Sequence, residues 1–470
     1  MSQAKIGNIT LENNASVYSY SISGFRSLED FEIQIGQGLN VLLGANGSGK
    51  TNFIDFIDFI TVLINSGCSN AVSSSGGVAR VFSQEALKRK IPRVKAKICA
   101  IADMEPHLIV NTSRTKFKFE YEVDIRYSKF HTAIYIANEK IKFKNLHKEG
   151  SVEDIDSTVG SIEIHRKSPL SSDDIRWTYG RYLTSNSFRN PLRYLHSHRI
   201  PPKDRREKRS TKQLRPDLLA VCPSSEPDES ILSNRSPFPA LDAVRGALTR
   251  NRSFNLNPHR ARSPDDISTI PRIAHDGSGL SATIYHMQQL SRTDKPAGRR
   301  GLQRDSLETV VSWTQLVIPD LQSISALADP HSGKYIAYLH VGEGAKALKI
   351  PLQSVSDGML KWLAFVSLIV SRPGEFTFEE PENFLHPKMQ QFFVEILRES
   401  LVDGGGSASA IVSTHSETII NQCKPEELIL FSFDDSVTKC KRIDNVNSVL
   451  DEINRTGFGL GHYYIMNVLH

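Results

Sequence analysis

Residues 39–60 read "LNVLLGANGSGKTNFIDFIDFI", and the order of residue types in this stretch decides the fold. "LNVLL" is an apolar run with the length of a buried strand. "TNFIDFIDFITVLINS", residues 51–66, is too long and too continuously apolar for an exposed strand and reads as a buried helix. Between them "GANGSGKT", Gly44 to Thr51, matches G-x-x-x-x-G-K-S/T in the strand-to-helix setting which that motif demands. Glycines are needed there because backbone N–H groups must approach phosphate oxygens closely, and the helix N-terminus adds partial positive charge. Lys50 is placed to reach β- and γ-phosphates, and the Thr51 hydroxyl to ligate Mg²⁺. Asn46, Gly47, Ser48, Gly49, Lys50, Thr51 and Asn52 are therefore the candidate contacts for ATP.

Three later stretches bear on the same chemistry. "EFTFEEPENFLHP", residues 375–387, ends a short β-forming segment in two adjacent carboxylates. At the C-terminal edge of a parallel sheet Glu379 suits Mg²⁺ or its water shell, and Glu380 suits orienting or deprotonating an attacking water. "ASAIVSTHSETII", residues 408–420, sets His415 after another strand. A lone histidine there is ordinarily structural, but its place after the acidic strand makes it a candidate sensor of the γ-phosphate. "QSVSDGMLKW", residues 353–362, read alone, is a helix N-cap.

Taken in order, the phosphate loop, the Ser-x-Gly turn at a helix start, the acidic strand and the histidine resemble the ABC-type ATPase head. Within that class the details are similar to RecF/SMC-like heads and to the ATPase half of OLD-type nucleases, often grouped with AAA-type ATPases of prokaryotic defence systems. The resemblance covers roughly residues 1–145 and 270–470, including "HDGSGLSATIYHM" and the ending "GFGLGHYYIMNVL". It implies an α/β fold: a two-lobed head with a mixed sheet around the phosphate-loop core and an antiparallel β subdomain. It also implies that Ser356, Asp357 and Gly358 form a signature turn acting in trans on nucleotide held by a second copy, in a dimer or higher oligomer. The turn reads Ser-Asp-Gly where transporter heads carry Ser-Gly-Gly, and Glu379 stands where many relatives have aspartate. No long heptad coiled coil is present, and roughly 55 residues follow His415, too few for the Toprim nuclease of OLD proteins. The resemblance therefore implies an ATPase without its own nuclease, serving as sensor and gate for a separately encoded nuclease or toxin, as in Septu- or PARIS-like systems and some retrons. Nucleic acid or a phage protein would be the trigger. The second reading is a DNA repair or maintenance ATPase, and the third an ATP-bound scaffold that barely turns over.

The remaining composition frames these readings. With 470 residues the chain has ample length for several cores. Its segments are expected as 1–70, the phosphate-loop lobe; 71–149, an antiparallel β subdomain; 150–270, a partly helical basic insertion; and 271–470, the lobe with signature, carboxylates and histidine. Net charge is +5, yet His196 to Arg262 alone holds 14 Lys/Arg against 7 Asp/Glu. The run from Arg199 to Arg215 could neutralise DNA phosphates, although it has few aromatics for stacking. Cys68, Cys99, Cys222, Cys423 and Cys440 show no CxxC spacing, which argues for a reducing cytosol. No apolar stretch reaches the ~20 residues of a membrane span and no signal peptide is seen, so a cytoplasmic location is expected. "HSHR" at 196–199 lacks further spaced metal ligands. Arg26 matches a basic position near nucleotide in related heads, with a salt bridge as its other reading.

Overall fold

The computed structural model describes residues 18–104, 115–145, 158–170, 174–179, 226–233, 239–251, 253–291, 306–344, 347–371, 375–403 and 408–466. The chain is α/β with mixed sheets. It divides into two compact units: one takes residues within 1–36, 46–251 and 431–440, the other 37–45, 252–430 and 441–470. The segment read as an insertion is shared out, its described residues up to 251 in the first unit and from 253 in the second. The basic run Arg199 to Arg215 and His196 to Arg199 lie outside the described residues. Among the described residues no helix is long and apolar enough to cross a membrane.

The first unit is built on a seven-stranded antiparallel sheet. Its spatial order is Phe31–Ile35, Tyr18–Ser23, Arg93–Met104, Thr115–Ser128, Ala133–Asn145, Thr158–His165 and Asp174–Tyr179. Period-two patterning explains the edge: in "FEIQI" Phe31, Ile33 and Ile35 are buried while Glu32 and Gln34 are exposed. The helix Lys50–Ser66 buries Phe53, Ile54, Phe56, Ile57, Phe59, Ile60, Leu63 and Ile64, so it is apolar over most of its circumference. Phe25 anchors it, with ring centroids 5.3 Å from Phe56 and 5.2 Å from Phe59. Each such ring is worth roughly 1.5–3 kcal/mol of burial.

The second unit holds most of a six-stranded sheet in the order Val437–Arg442, Leu428–Asp434, Gly38–Leu43, Ser409–Ser413, Phe376–Glu379 and Ser253–Phe254. Pairings from Leu428–Asp434 through to Ser253–Phe254 are parallel. Both faces of a parallel sheet are covered, which is why Ser409–Ser413 is buried at every position and "LNVLL" shows no alternation. The helix Asp357–Ser371 packs on it, with Leu360 to Ile369 wholly buried and the Phe365 centroid 4.4 Å from Phe393 and 5.5 Å from Phe378. A smaller antiparallel sheet centres on Lys334–Val341, paired with Leu321–Asp329, Asp265–Asp266 and Leu348–Pro351.

Candidate functional site

In the second unit one edge of the parallel sheet gathers three strand ends. Register pairs Leu42 with Ser413 and Ser413 with Glu379, so the strands ending at Leu43, Ser413 and Glu379 stop at the same level. Gly44, Glu380 and Thr414 follow them directly, on the C-terminal side where parallel sheets bind ligands. Gly44 N–H donates to the Tyr464 hydroxyl at 3.0 Å, so the helix Leu460–Ile465 touches the entry of the phosphate loop. That helix is seated by Gly461 N–H on Asn421 Oδ1 at 2.7 Å, just beyond His415. The role of Tyr464 is not visible in its own sequence neighbourhood, though the close-approach glycines Gly459 and Gly461 mark the seat.

The carboxylate loop is strained and held by several hydrogen bonds. Glu380 has φ +43° and Phe384 φ +69°, left-handed values that non-glycine residues rarely adopt and that persist where surroundings impose them. Glu380 N–H donates to the Ser413 carbonyl at 2.9 Å, and Asn383 Nδ2 donates to Glu380 Oε2 at 3.1 Å, fixing the direction of that carboxylate. The Glu380 carbonyl accepts from Lys361 Nζ at 3.4 Å. Glu382, two residues on, accepts the His415 backbone N–H at 2.7 Å on Oε1. Sequence reasoning missed Glu382, Asn383 and Lys361: Glu382 and Lys361 each act on a residue of another motif, and Asn383 reads as a plain loop residue until its amide is found on Glu380.

The Ser-Asp-Gly turn at 356–358 leans on the same loop. A Cβ at Gly358 would sit 2.5 Å from the Phe384 carbonyl oxygen, so only glycine allows the helix Asp357–Ser371 to approach this closely. Lys361, one turn further, is 4% exposed, with its ammonium 6.0 Å from the Phe384 ring centroid. Burial pushes its pKa down to about 8, against the opposing pull of Glu382 and Glu380. Asp357 does not stand free: its carboxylate is in an ion pair with Arg262. Ser356, Glu379, Glu380 and His415 thus lie in one unit with Gly44.

The rest of the phosphate loop, Asn46 to Asn52, belongs to the first unit. Gly49 caps the helix Lys50–Ser66 with φ +100°, and a Cβ there would land 2.0 Å from Thr438 Oγ1. Thr438 is itself held by Ser27, through Oγ at 2.6 Å and through its own N–H on the Ser27 carbonyl at 2.9 Å. Asn52 Nδ2 donates to Ser27 Oγ at 2.7 Å, and its Oδ1 accepts from Arg26 at 3.3 Å. Arg26 forms an ion pair with Asp55, so of its two expected readings the structure displays the salt bridge.

Nucleotide and Mg²⁺ suit what these residues offer. Ser48 Oγ, in the loop, is buried without a hydrogen-bond partner among the described residues, as are Ser413 Oγ and Glu382 Oε2 at the sheet edge. Buried polar atoms of that kind call for a ligand or ordered water. Within the second unit the Glu379 carboxylate is a hard oxygen donor of the type Mg²⁺ prefers.

A family model described as "AAA domain, putative AbiEii toxin, Type IV TA system" matches residues 39–421. "DNA replication and repair protein RecF" of Paenarthrobacter aurescens is 35% identical over 69 residues, 15% of this chain and 16% of that protein. The RecF protein of Shewanella loihica is 27% identical over 121 residues, 26% of this chain and 27% of that protein. The chain thus spans only a minor part of these relatives' length. Among solved structures, an SMC head bound to the C-terminal winged-helix domain of ScpA aligns over 91% of this chain and 97% of that one, at 12% identity and TM-score 0.43. An SMC head with extended coiled coil from Pyrococcus furiosus aligns over 93% and 99%, at 13% identity and TM-score 0.40. The family match, residues 39–421, runs through the strand before the phosphate loop, the turn at 356–358, the carboxylate loop and His415, and the chain belongs to this family of AAA ATPase domains.

Proposed function

We propose that this chain binds and hydrolyses ATP with Mg²⁺, and that ATP-driven self-association lets it act as sensor and gate for a separately encoded nuclease or toxin in a cytoplasmic antiviral defence complex. The observation that carries the ATPase part is the shared sheet edge: Gly44, Glu379, Glu380 and His415 leave three neighbouring parallel strands at one level. In this reading Asn46, Gly47, Ser48, Gly49 and Asn52 shape the phosphate cradle, and Lys50 holds the β- and γ-phosphates. Thr51 and Glu379 hold Mg²⁺, which when bound neutralises phosphate oxygens. Glu380, aimed by Asn383, orients and deprotonates the attacking water, and His415, its backbone held by Glu382, sits toward the γ-phosphate. Ser356 and Gly358 complete the site from a second copy. The gating part goes beyond the family description, which names a putative toxin of a type IV TA system.

A second reading, a RecF-like ATPase acting on duplex DNA in repair or maintenance, is favoured by the RecF matches. One measurement tests the ATPase part and a second separates the two readings. Phosphate release should fall about a hundredfold or more in Glu380→Gln while ATP binding survives, and Lys50→Ala should lose binding itself. Unchanged release in Glu380→Gln would overturn the assignment of the base. Co-expression with a neighbouring nuclease should then show restraint that depends on Lys50. Intact restraint and release in Lys50→Ala, together with salt-sensitive duplex binding by the chain alone, would favour the DNA reading.

A further inference from the structure

The signature turn presents a difficulty that its neighbour resolves. A Ser-x-Gly turn at the start of the helix Asp357–Ser371 can receive a phosphate through the serine hydroxyl and the N-terminal N–H groups. Here the middle residue is Asp357, an anion placed where another anion is to arrive. An unpaired carboxylate beside a triphosphate would repel it.

Arg262 is placed to remove that repulsion. It ends the short helix Pro258–Arg262, which is fixed by Asn257 Oδ1 accepting the His259 N–H at 2.9 Å and by the buried Pro258 and Ala261. From there its Nη2 donates to Asp357 Oδ1, and its Nη1 donates to the Gln353 carbonyl at 2.8 Å. One guanidinium therefore bridges the chain just before the turn and the carboxylate within it, a fork geometry that lysine cannot reproduce. Both side chains remain about one-third exposed, at 30% for Arg262 and 35% for Asp357. An ion pair that open contributes little to folding. What it does set is the charge and direction of the turn.

We propose that Arg262 is a positioning residue of the signature turn: by pairing with Asp357 it neutralises the turn and holds the carboxylate aside, so that Ser356 and the turn's N–H groups can take the γ-phosphate of nucleotide bound by a second copy of the chain. The inference rests on the nucleotide reading given above. It explains how a Ser-Asp-Gly sequence can serve where an uncharged Ser-Gly-Gly would otherwise be expected, and it ties the residues around 260 to the turn around 357.

A charge-rescue cycle tests it. Four full-length chains are compared: parent, Arg262→Gln, Asp357→Asn and the double variant, with Lys50→Ala as the nucleotide-binding control. Thermal unfolding of the four should agree closely, as expected for a solvent-screened pair. Arg262→Gln should lower ATP hydrolysis and ATP-induced self-association by about tenfold or more. ATP affinity of the diluted chain should stay within about twofold, because the turn acts on the other copy's nucleotide. Adding Asp357→Asn to Arg262→Gln should restore most of the hydrolysis that Arg262→Gln loses. A folded double variant as inactive as Arg262→Gln, or an Arg262→Gln chain as active as the parent, overturns the proposal. A parent chain that neither binds nor hydrolyses ATP, and is indistinguishable from Lys50→Ala, removes the nucleotide reading and this inference with it.

Discussion

Replacing Lys361 by methionine should make the folded chain more stable at neutral pH while impairing turnover. Lys361 is 4% exposed, and burial pushes its pKa from the ordinary 10.5 to about 8. At 1.36 kcal/mol for each pKa unit, holding the charged form inside costs the folded state about 3 kcal/mol. Methionine, of similar length and helix propensity, removes that cost and gives up one hydrogen bond to the Glu380 carbonyl, worth about 1 kcal/mol. The Glu380 carbonyl keeps the Asn383 N–H at 3.2 Å, so no acceptor is orphaned. The net gain at neutral pH is about 2 kcal/mol. The sign with pH follows from linkage. Below the folded pKa both states carry the proton and the full cost is present. Between about 8 and 10.5 the folded lysine is neutral while the unfolded one is still charged, so the parent gains stability relative to the variant as pH rises through that window. Urea unfolding followed by tryptophan fluorescence, with Trp362 adjacent and buried, reads the difference at each pH. A variant less stable than the parent at neutral pH, with a difference that stays flat from 8 to 10.5, refutes this account of Lys361. Turnover should fall, because the signature helix loses its bond to the loop that carries Glu380.

Two further outcomes follow from packing. Gly49→Ala should destabilise the chain by about 2 kcal/mol or more, since the new methyl meets Thr438 Oγ1 at 2.0 Å and Thr438 is pinned by Ser27; Thr438→Ala in the same chain should recover part of the loss in thermal melts. Burial pushes the Cys68 thiol far up and that of Cys423 to about 12, so iodoacetamide at about pH 8 should leave both unmodified in the native chain and label them once urea is added, as read by peptide mass; rapid native labelling of Cys68 would contradict its burial.

The parts of this fold legible in sequence are those decided by neighbouring residues. "LNVLL", the helix from Lys50 and the strand ending at Glu379 each declare themselves through a continuous apolar run and the glycine or acid that stops it. The antiparallel pairing of Thr115–Ser128 with Ala133–Asn145 is legible from alternation. What is not legible is partnership across distance. Arg262 lies 95 residues from Asp357, in a stretch whose charge reads as a basic insertion. Ser253–Phe254 adds a parallel strand beside Phe376–Glu379, yet two residues carry no period. Glu382 reads as one more acid in "EEPENF" until the His415 N–H is found on it. The candidate site is thus visible as its motifs, and hidden in the residues that aim them.

The position of the strand Gly38–Leu43 has a consequence for biogenesis. Both of its sheet neighbours, Ser409–Ser413 and Leu428–Asp434, are synthesised some 370 residues later. At ~5–20 residues per second the ribosome leaves this strand without either edge partner for about 20–75 s. During that interval a row of Val41, Leu42 and Leu43 with open backbone edges is on offer to any other extended chain. Pairing of such remote segments is also slow once it becomes possible. Newly made copies should therefore depend on holding chaperones more than the stability of the finished protein would indicate, and truncations that remove the last strands should aggregate through this early segment.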